Sequence, residues 1–120
     1  MNRILVLEGR KPSPSALGDI LEFNGYSVFK AENPENVVSL IQGQTYSLLI
    51  AEYAVGDGAG MDVIPMVRAT PNGAQLKILL LTFKELDETE LGHLLCHDVL
   101  YLRKPFLPNV LVRKIETLLS

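Results

Sequence analysis

The chain is predicted to fold as an α/β domain, a doubly wound parallel sheet of five strands with five helices. Three features predict it. Short apolar runs alternate five times with longer amphipathic stretches, the pattern of repeated β/α units. Two of the runs, Leu48-Leu49-Ile50-Ala51 and Ile78-Leu79-Leu80-Leu81, are apolar at every position, as strands become when helices cover both faces of a sheet. Pro, Asn and Gly stand where the amphipathic stretches start and stop. A length of 120 residues with 48% hydrophobic content matches a single domain over residues 1–120 with one continuous core.

The first strand is read as Arg3–Glu8. Ser13 is then the N-cap of a helix with Pro14 at its first position, and Leu17, Ile20 and Leu21 share one face. Gly25 ends that helix. Strand two spans Tyr26–Ala31, and Asn33 and Pro34 repeat the cap-plus-proline signal for a helix that carries Val37, Val38 and Ile41 and stops near Gly43. Strand three, Tyr46–Glu52, holds the first continuous apolar run and is expected at the centre of the sheet. The turn Gly56-Asp57-Gly58-Ala59-Gly60 leads to a helix near Met61–Ala69, which Pro65 is expected to kink or shorten. Its glycines lack the G-x-G-x-x-G spacing of a dinucleotide loop, so a turn is the better reading.

Strand four is Leu76–Thr82. The helix after it, Glu85–Cys96, carries Leu91, Leu94 and Leu95 on one side and is weakened by Gly92. Strand five is Val99–Leu102, and the last helix starts at Pro108 and runs to Leu119, with Leu111, Ile115, Leu118 and Leu119 at helical spacing. His97 stands after the fourth helix, and histidine tolerates a left-handed backbone better than most residues. His93 and His97 lie one turn apart, but Cys96 points elsewhere and no fourth ligand is evident, so this segment reads as a helix end and not a metal site.

Charge narrows the partners. Fourteen acids against 11 bases give a net charge of −3, without basic blocks, so neither nucleic acid nor an anionic membrane is an expected partner. A single cysteine excludes an intrachain disulfide framework, and no apolar run is long enough to span a membrane. A cytoplasmic location and a protein partner are expected.

In doubly wound sheets the ligand site lies beyond the carboxyl ends of the strands. Glu8, Glu52, Thr82 and Lys104 fall at those ends, so four polar groups from distant parts of the sequence are expected to converge. With Tyr101, Pro105 and Phe106, this order of residues resembles the receiver domains of bacterial two-component response regulators, over residues 3–119. The resemblance implies a flavodoxin-like fold with strand order 2-1-3-4-5. It implies that Glu52 stands at the phosphoacceptor position and that Glu8 and Gly9 occupy the places of the two acids that hold Mg²⁺. Thr82 and Lys104 then correspond to the phosphate-contacting pair and Tyr101 to the switch aromatic. Lys104-Pro105-Phe106 matches the family's Lys-Pro-Phe triplet, and Gly60 the glycine eight residues beyond the acceptor.

Two positions depart from the family pattern. Glu52 replaces aspartate and projects its carboxylate about 1.5 Å further, which spoils in-line attack on a phosphoryl donor. Gly9 offers no side-chain oxygen, so only Glu8 and Glu52 remain as candidate metal ligands, and Mg²⁺ binding is expected to be weak or absent. No other cofactor is expected. Two acids facing Lys104, with Arg10 nearby, leave Lys104 able to pair directly with Glu52 in a partly buried contact. Phe83 either covers this pocket or turns outward.

The resemblance therefore implies a non-enzymatic signalling domain in a phosphorelay pathway, acting by phosphate-independent protein contact. The face formed by the fourth helix, fifth strand and fifth helix would meet a sensor kinase, an output domain or a second copy. Val99 and Leu100 stand where a subset of the family carries acids for a charged dimer. Two alternatives remain: a conventional receiver phosphorylated on Glu52 or Asp57, and a small-molecule site on the same fold in the space freed by Gly9.

Overall fold

The computed structural model describes residues 2–8, 17–53 and 59–120. The expected Ser13 and Pro14 helix start, Gly9, Arg10 and most of the Gly56–Gly60 turn lie outside the described residues. Among the described residues ten elements alternate: β1 (Arg3–Leu7), α1 (Leu17–Phe23), β2 (Ser27–Ala31), α2 (Pro34–Gly43), β3 (Leu48–Glu52), α3 (Ala59–Arg68), β4 (Lys77–Thr82), α4 (Glu88–Cys96), β5 (Leu100–Arg103) and α5 (Pro108–Leu119). The strands form one parallel sheet in the order β2-β1-β3-β4-β5, the order expected, with β3 at its centre.

Strand side chains alternate between faces, and the core divides accordingly. Leu5, Leu7, Leu49, Ala51, Ile78 and Leu80 pack with Val37 and Ile41 of α2 and Val63, Ile64 and Val67 of α3. Ile4, Val6, Leu48, Ile50, Leu79 and Leu81 face the other way, against Leu17 and Leu21 of α1 and Leu111 and Ile115 of α5. The unbroken apolar runs are thus two half-cores read in alternation. Each fully buried Leu or Ile contributes about 1.5–3 kcal/mol relative to an exposed one.

Local signals account for the helix ends. The Asn33 side chain accepts the Asn36 N–H at 2.7 Å, and Pro34 opens α2. Gly25 follows α1 with φ of +90°, a conformation in which glycine has no Cβ to strain. The start of β3 at Leu48 leaves Tyr46 outside the ladder, its ring edge-on to Phe29 at 5.7 Å.

Several sequence expectations are corrected. Pro65 lies inside α3 without shortening it, because Val63, Ile64 and Val67 hold the helix on the core while Pro65 itself is exposed. Ala59 and Gly60 belong to α3 and not to the turn before it. The fourth helix starts at Glu88 instead of Glu85: Asp87 caps it and Glu90 completes a reciprocal capping box. Of its three leucines only Leu94 is buried; Leu91 is 38% and Leu95 83% exposed, so the helix meets the sheet along a narrower stripe than its sequence suggests. The left-handed residue after α4 is Asp98, with φ of 57°, while His97 at φ of −100° is the C-cap. The helix runs one residue further than a left-handed His97 would allow, and aspartate tolerates that conformation.

Candidate functional site

The sheet register brings the four polar ends together. Leu7 pairs with Ala51, so Glu8 emerges from β1 beside Glu52, the last residue of β3. Glu52 pairs with Leu81, and Thr82 with Arg103. Both ladders continue one bond past the strands: Tyr53 N–H donates to Leu81 O at 2.8 Å and Lys104 N–H to Thr82 O at 2.8 Å. Lys104 therefore leaves β5 with its backbone fixed against β4. The Lys104–Pro105 peptide bond is cis, and the Phe106 ring packs against the core on the α1/α5 side.

Lys104 reaches across β4 to β3, a span of about 10 Å between backbones. Its Nζ lies 3.2 Å from Glu52 Oε1, with the two side chains 18% and 19% exposed. The same Nζ sits 5.1 Å from the centroid of the Phe83 ring. Phe83 is 66% exposed, so it neither closes over the site nor turns away from it: its ring serves as a cation–π partner for Lys104. Thr82 is buried, and its Oγ1 accepts Lys84 N–H at 2.9 Å and donates to Lys84 O at 3.2 Å, which ties the hydroxyl to the loop after β4.

Gly60 explains how α3 approaches this edge. A Cβ there would lie 2.7 Å from the Glu52 carbonyl carbon and 2.9 Å from Tyr53 Cα, so only glycine lets the helix start pack on the strand end.

A second cluster beside the site was not anticipated. Tyr53, next to Glu52, donates its hydroxyl to Glu90 Oε2 of α4, and Lys84 Nζ pairs with Glu90 Oε1 at 2.9 Å. Lys84 also lies over the Tyr53 ring at 5.4 Å. The Tyr53 hydroxyl first, then the Lys84 ammonium and the Asp87 N–H, hold the Glu90 carboxyl well below its usual range, at about 2. Glu90 in turn raises the hydroxyl of Tyr53 and the ammonium of Lys84. Three segments, β3, the β4–α4 loop and α4, are joined at one carboxylate. The Asp87-x-x-Glu90 spacing was the sequence signal for the cap, but no local pattern points to Tyr53.

The other candidates separate. Tyr101 is part-exposed and lines a groove between α4 and α5, away from the Glu52–Lys104 contact. His93 and His97 stack at 4.4 Å, with His97 Nδ1 2.9 Å from His93 O, and Cys96 is exposed. Among the described residues no three His, Cys, Asp or Glu side chains are grouped to hold a metal ion, and no helix is long and apolar enough to cross a membrane.

The sheet order and this carboxyl edge define a flavodoxin-like domain of the receiver type. The family model for the response regulator receiver domain matches residues 4–116, and the chain belongs to that family. It is 31% identical over 121 residues to the transcriptional regulatory protein CpxR of Escherichia coli (strain K12), covering 99% of this chain and 50% of that one. The chain spans about half the length of the curated regulators it matches first. Among solved structures, the chemotaxis protein CheY4 of Vibrio cholerae superposes with a TM-score of 0.87 at 20% identity, covering 99% of both chains, a likeness of fold. TrrA of Thermotoga maritima, solved in complex with Mg²⁺-BeF, superposes with a TM-score of 0.83 at 28% identity, covering 99% of this chain and 100% of that one. Receiver-domain signalling in two-component systems is the class of function this membership carries.

Proposed function

We propose that this receiver domain signals by protein contact without phosphate on Glu52. The direct Lys104–Glu52 pair carries this proposal: the lysine that the family resemblance assigns to phosphate is engaged by a carboxylate of the domain itself. A longer acid at the acceptor position displaces the attacking oxygen, and the pair occupies one of its two oxygens. A part-buried ion pair is held by geometry and by the scarcity of water to replace either partner.

The donor set fits Mg²⁺ poorly. Among the described residues Glu8 and Glu52 are the carboxylates at this edge, Glu52 already faces a cation, and Gly9 has no side-chain oxygen. Mg²⁺ needs a nearly octahedral set of oxygens, so weak or no binding follows. Residues 1–120 then act as one non-enzymatic unit in the cytoplasm. The partner, a sensor kinase or an output domain, meets the face formed by α4, β5 and α5, where Tyr101 lies. A histidine kinase partner is suggested by TrrA, which has been solved in complex with the histidine kinase ThkA.

Intact-mass measurement after incubation with acetyl phosphate and Mg²⁺ tests this, on wild type and on the Gly9→Asp/Glu52→Asp variant. An adduct on the variant alone is expected. An adduct on wild type overturns the proposal, and one mapped to Asp57 would make that residue the acceptor.

A further inference from the structure

Side chains at positions i and i+4 of a helix lie one above the other, and α4 ends with a histidine pair at that spacing. The His93 and His97 rings are 4.4 Å apart, centre to centre, and both residues are part-exposed. His97 Nδ1 lies 2.9 Å from His93 O. A carbonyl oxygen only accepts, so Nδ1 carries the proton and the neutral ring keeps its lone pair on Nε2. Metal-bound histidines take this arrangement, with the ring nitrogen away from the ion donating to a backbone carbonyl. Among the described residues nothing hydrogen-bonds to His97 Nε2 or to either nitrogen of the His93 ring.

The surroundings suit a cation. His97 caps the end of α4, where carbonyl oxygens concentrate negative charge. Arg68 of α3 and Lys77 of β4 line a groove of about 300 Å³ beside His97, together with Cys96 and Asp98. The Arg68 guanidinium is directed at backbone and not at the imidazoles: it donates to the carbonyl oxygens of His97, Gly73, Leu76 and Asp98.

We infer that His93 and His97 chelate a divalent transition-metal ion of the Zn²⁺ type, through Nε2 of His97 and a ring nitrogen of His93, with water completing the coordination. Two nitrogens that share a tetrahedral ion at about 2.1 Å stand about 3.4 Å apart, a separation that rings in this contact can present. Imidazole selects zinc, nickel or copper over magnesium, so this site differs in kind from the carboxylate edge at Glu8 and Glu52. The chelate closes across the last turn of α4. There it runs beside the hydrogen bonds from the N–H groups of His97, Asp98 and Val99 to the carbonyl oxygens of His93, Leu95 and Leu94, in a helix that Gly92 weakens. Because only the folded turn holds the two rings together, the ion stabilises the end of α4 and the turn into β5.

The test adds Zn²⁺, with Mg²⁺ as control, to the full chain near neutral pH. Calorimetry should show one Zn²⁺ bound per chain. Zinc and not magnesium should raise the melting temperature and slow amide exchange at His97, Asp98 and Val99. His93→Gln and His97→Gln should each weaken zinc binding about tenfold or more, since the chelate becomes a single imidazole contact. His93→Gln, at a part-exposed helix position, should keep the melting temperature of the metal-free wild type, so its loss of binding cannot come from unfolding. Cys96→Ser should bind zinc as wild type does. No response to zinc beyond that to magnesium, binding that survives His93→Gln, binding lost in Cys96→Ser, or one zinc per two chains overturns the inference. None of these readouts involves phosphate, so an adduct on Glu52 would leave the inference standing.

Discussion

Replacing Gly60 by alanine should destabilise the domain, while the same change at Gly92 should stabilise it. At Gly60 the new methyl would lie 2.7 Å from the Glu52 carbonyl carbon, 2.9 Å from Tyr53 Cα, and closer still to the Glu52 carbonyl oxygen. Carbon atoms settle about 3.5 Å apart, so the start of α3 and the end of β3 must separate by about 0.8 Å or more. All three neighbours are backbone atoms, and no change of rotamer relieves the contact. A cost at the upper end of overpacking, about 3 kcal/mol, is expected. That corresponds to a fall of roughly 10 °C in Tm for a domain of this size. At Gly92, inside α4, an added methyl meets nothing within 4 Å, so only the helix preference of alanine operates, a gain of about 0.5–1 kcal/mol. Urea unfolding of both variants, followed by circular dichroism, measures the two changes. A Gly60→Ala stability within about 0.5 kcal/mol of wild type, the range of neutral surface changes, would refute the close approach of α3 to Glu52. Equal signs for the two variants would refute the account of both positions.

Lys104→Met and Glu52→Gln should each lower stability, and their double-mutant cycle should give a coupling of about 1 kcal/mol for a part-buried pair; a coupling near zero would mean the contact is not formed in solution. The Glu90 carboxyl is depressed from 4.5 to about 2 by Tyr53 and Lys84, so its contribution is fully present above the unfolded value and is lost as pH falls through about 2. Wild type should therefore exceed Glu90→Gln in urea stability near neutral pH and converge with it near the lower value, and a gap that persisted there would sink the assignment. Arg68 donates to His97 O, Gly73 O and Leu76 O at 2.8, 2.7 and 2.6 Å, tying the loop after α3 to the end of α4. Arg68→Met should cost about 2 kcal/mol, discounted for partial exposure, and speed amide exchange at Gly73 and Asp98; unchanged exchange would refute the tie.

The sequence alone determined the number, order and type of the elements, because each strand and helix advertises itself through local periodicity and through caps such as Asn33 and Pro34. It also determined which residues reach the carboxyl edge, since the last residue of a strand stays at its end in any register. Glu8, Glu52, Thr82 and Lys104 were legible for that reason. Tertiary structure decided what those side chains touch. That Lys104 crosses β4 to Glu52 and shares its charge with the Phe83 ring depends on the spacing between three strands, which no window of sequence contains. The burial of Leu94 and the exposure of Leu91 and Leu95 depend on how α4 lies on the sheet, because a periodic stripe gives a face but not its width of contact. The Tyr53–Glu90–Lys84 cluster joins residues up to 37 positions apart. Side-chain pairing at that separation follows from distances in space, and those are set only when the whole sheet closes around its core.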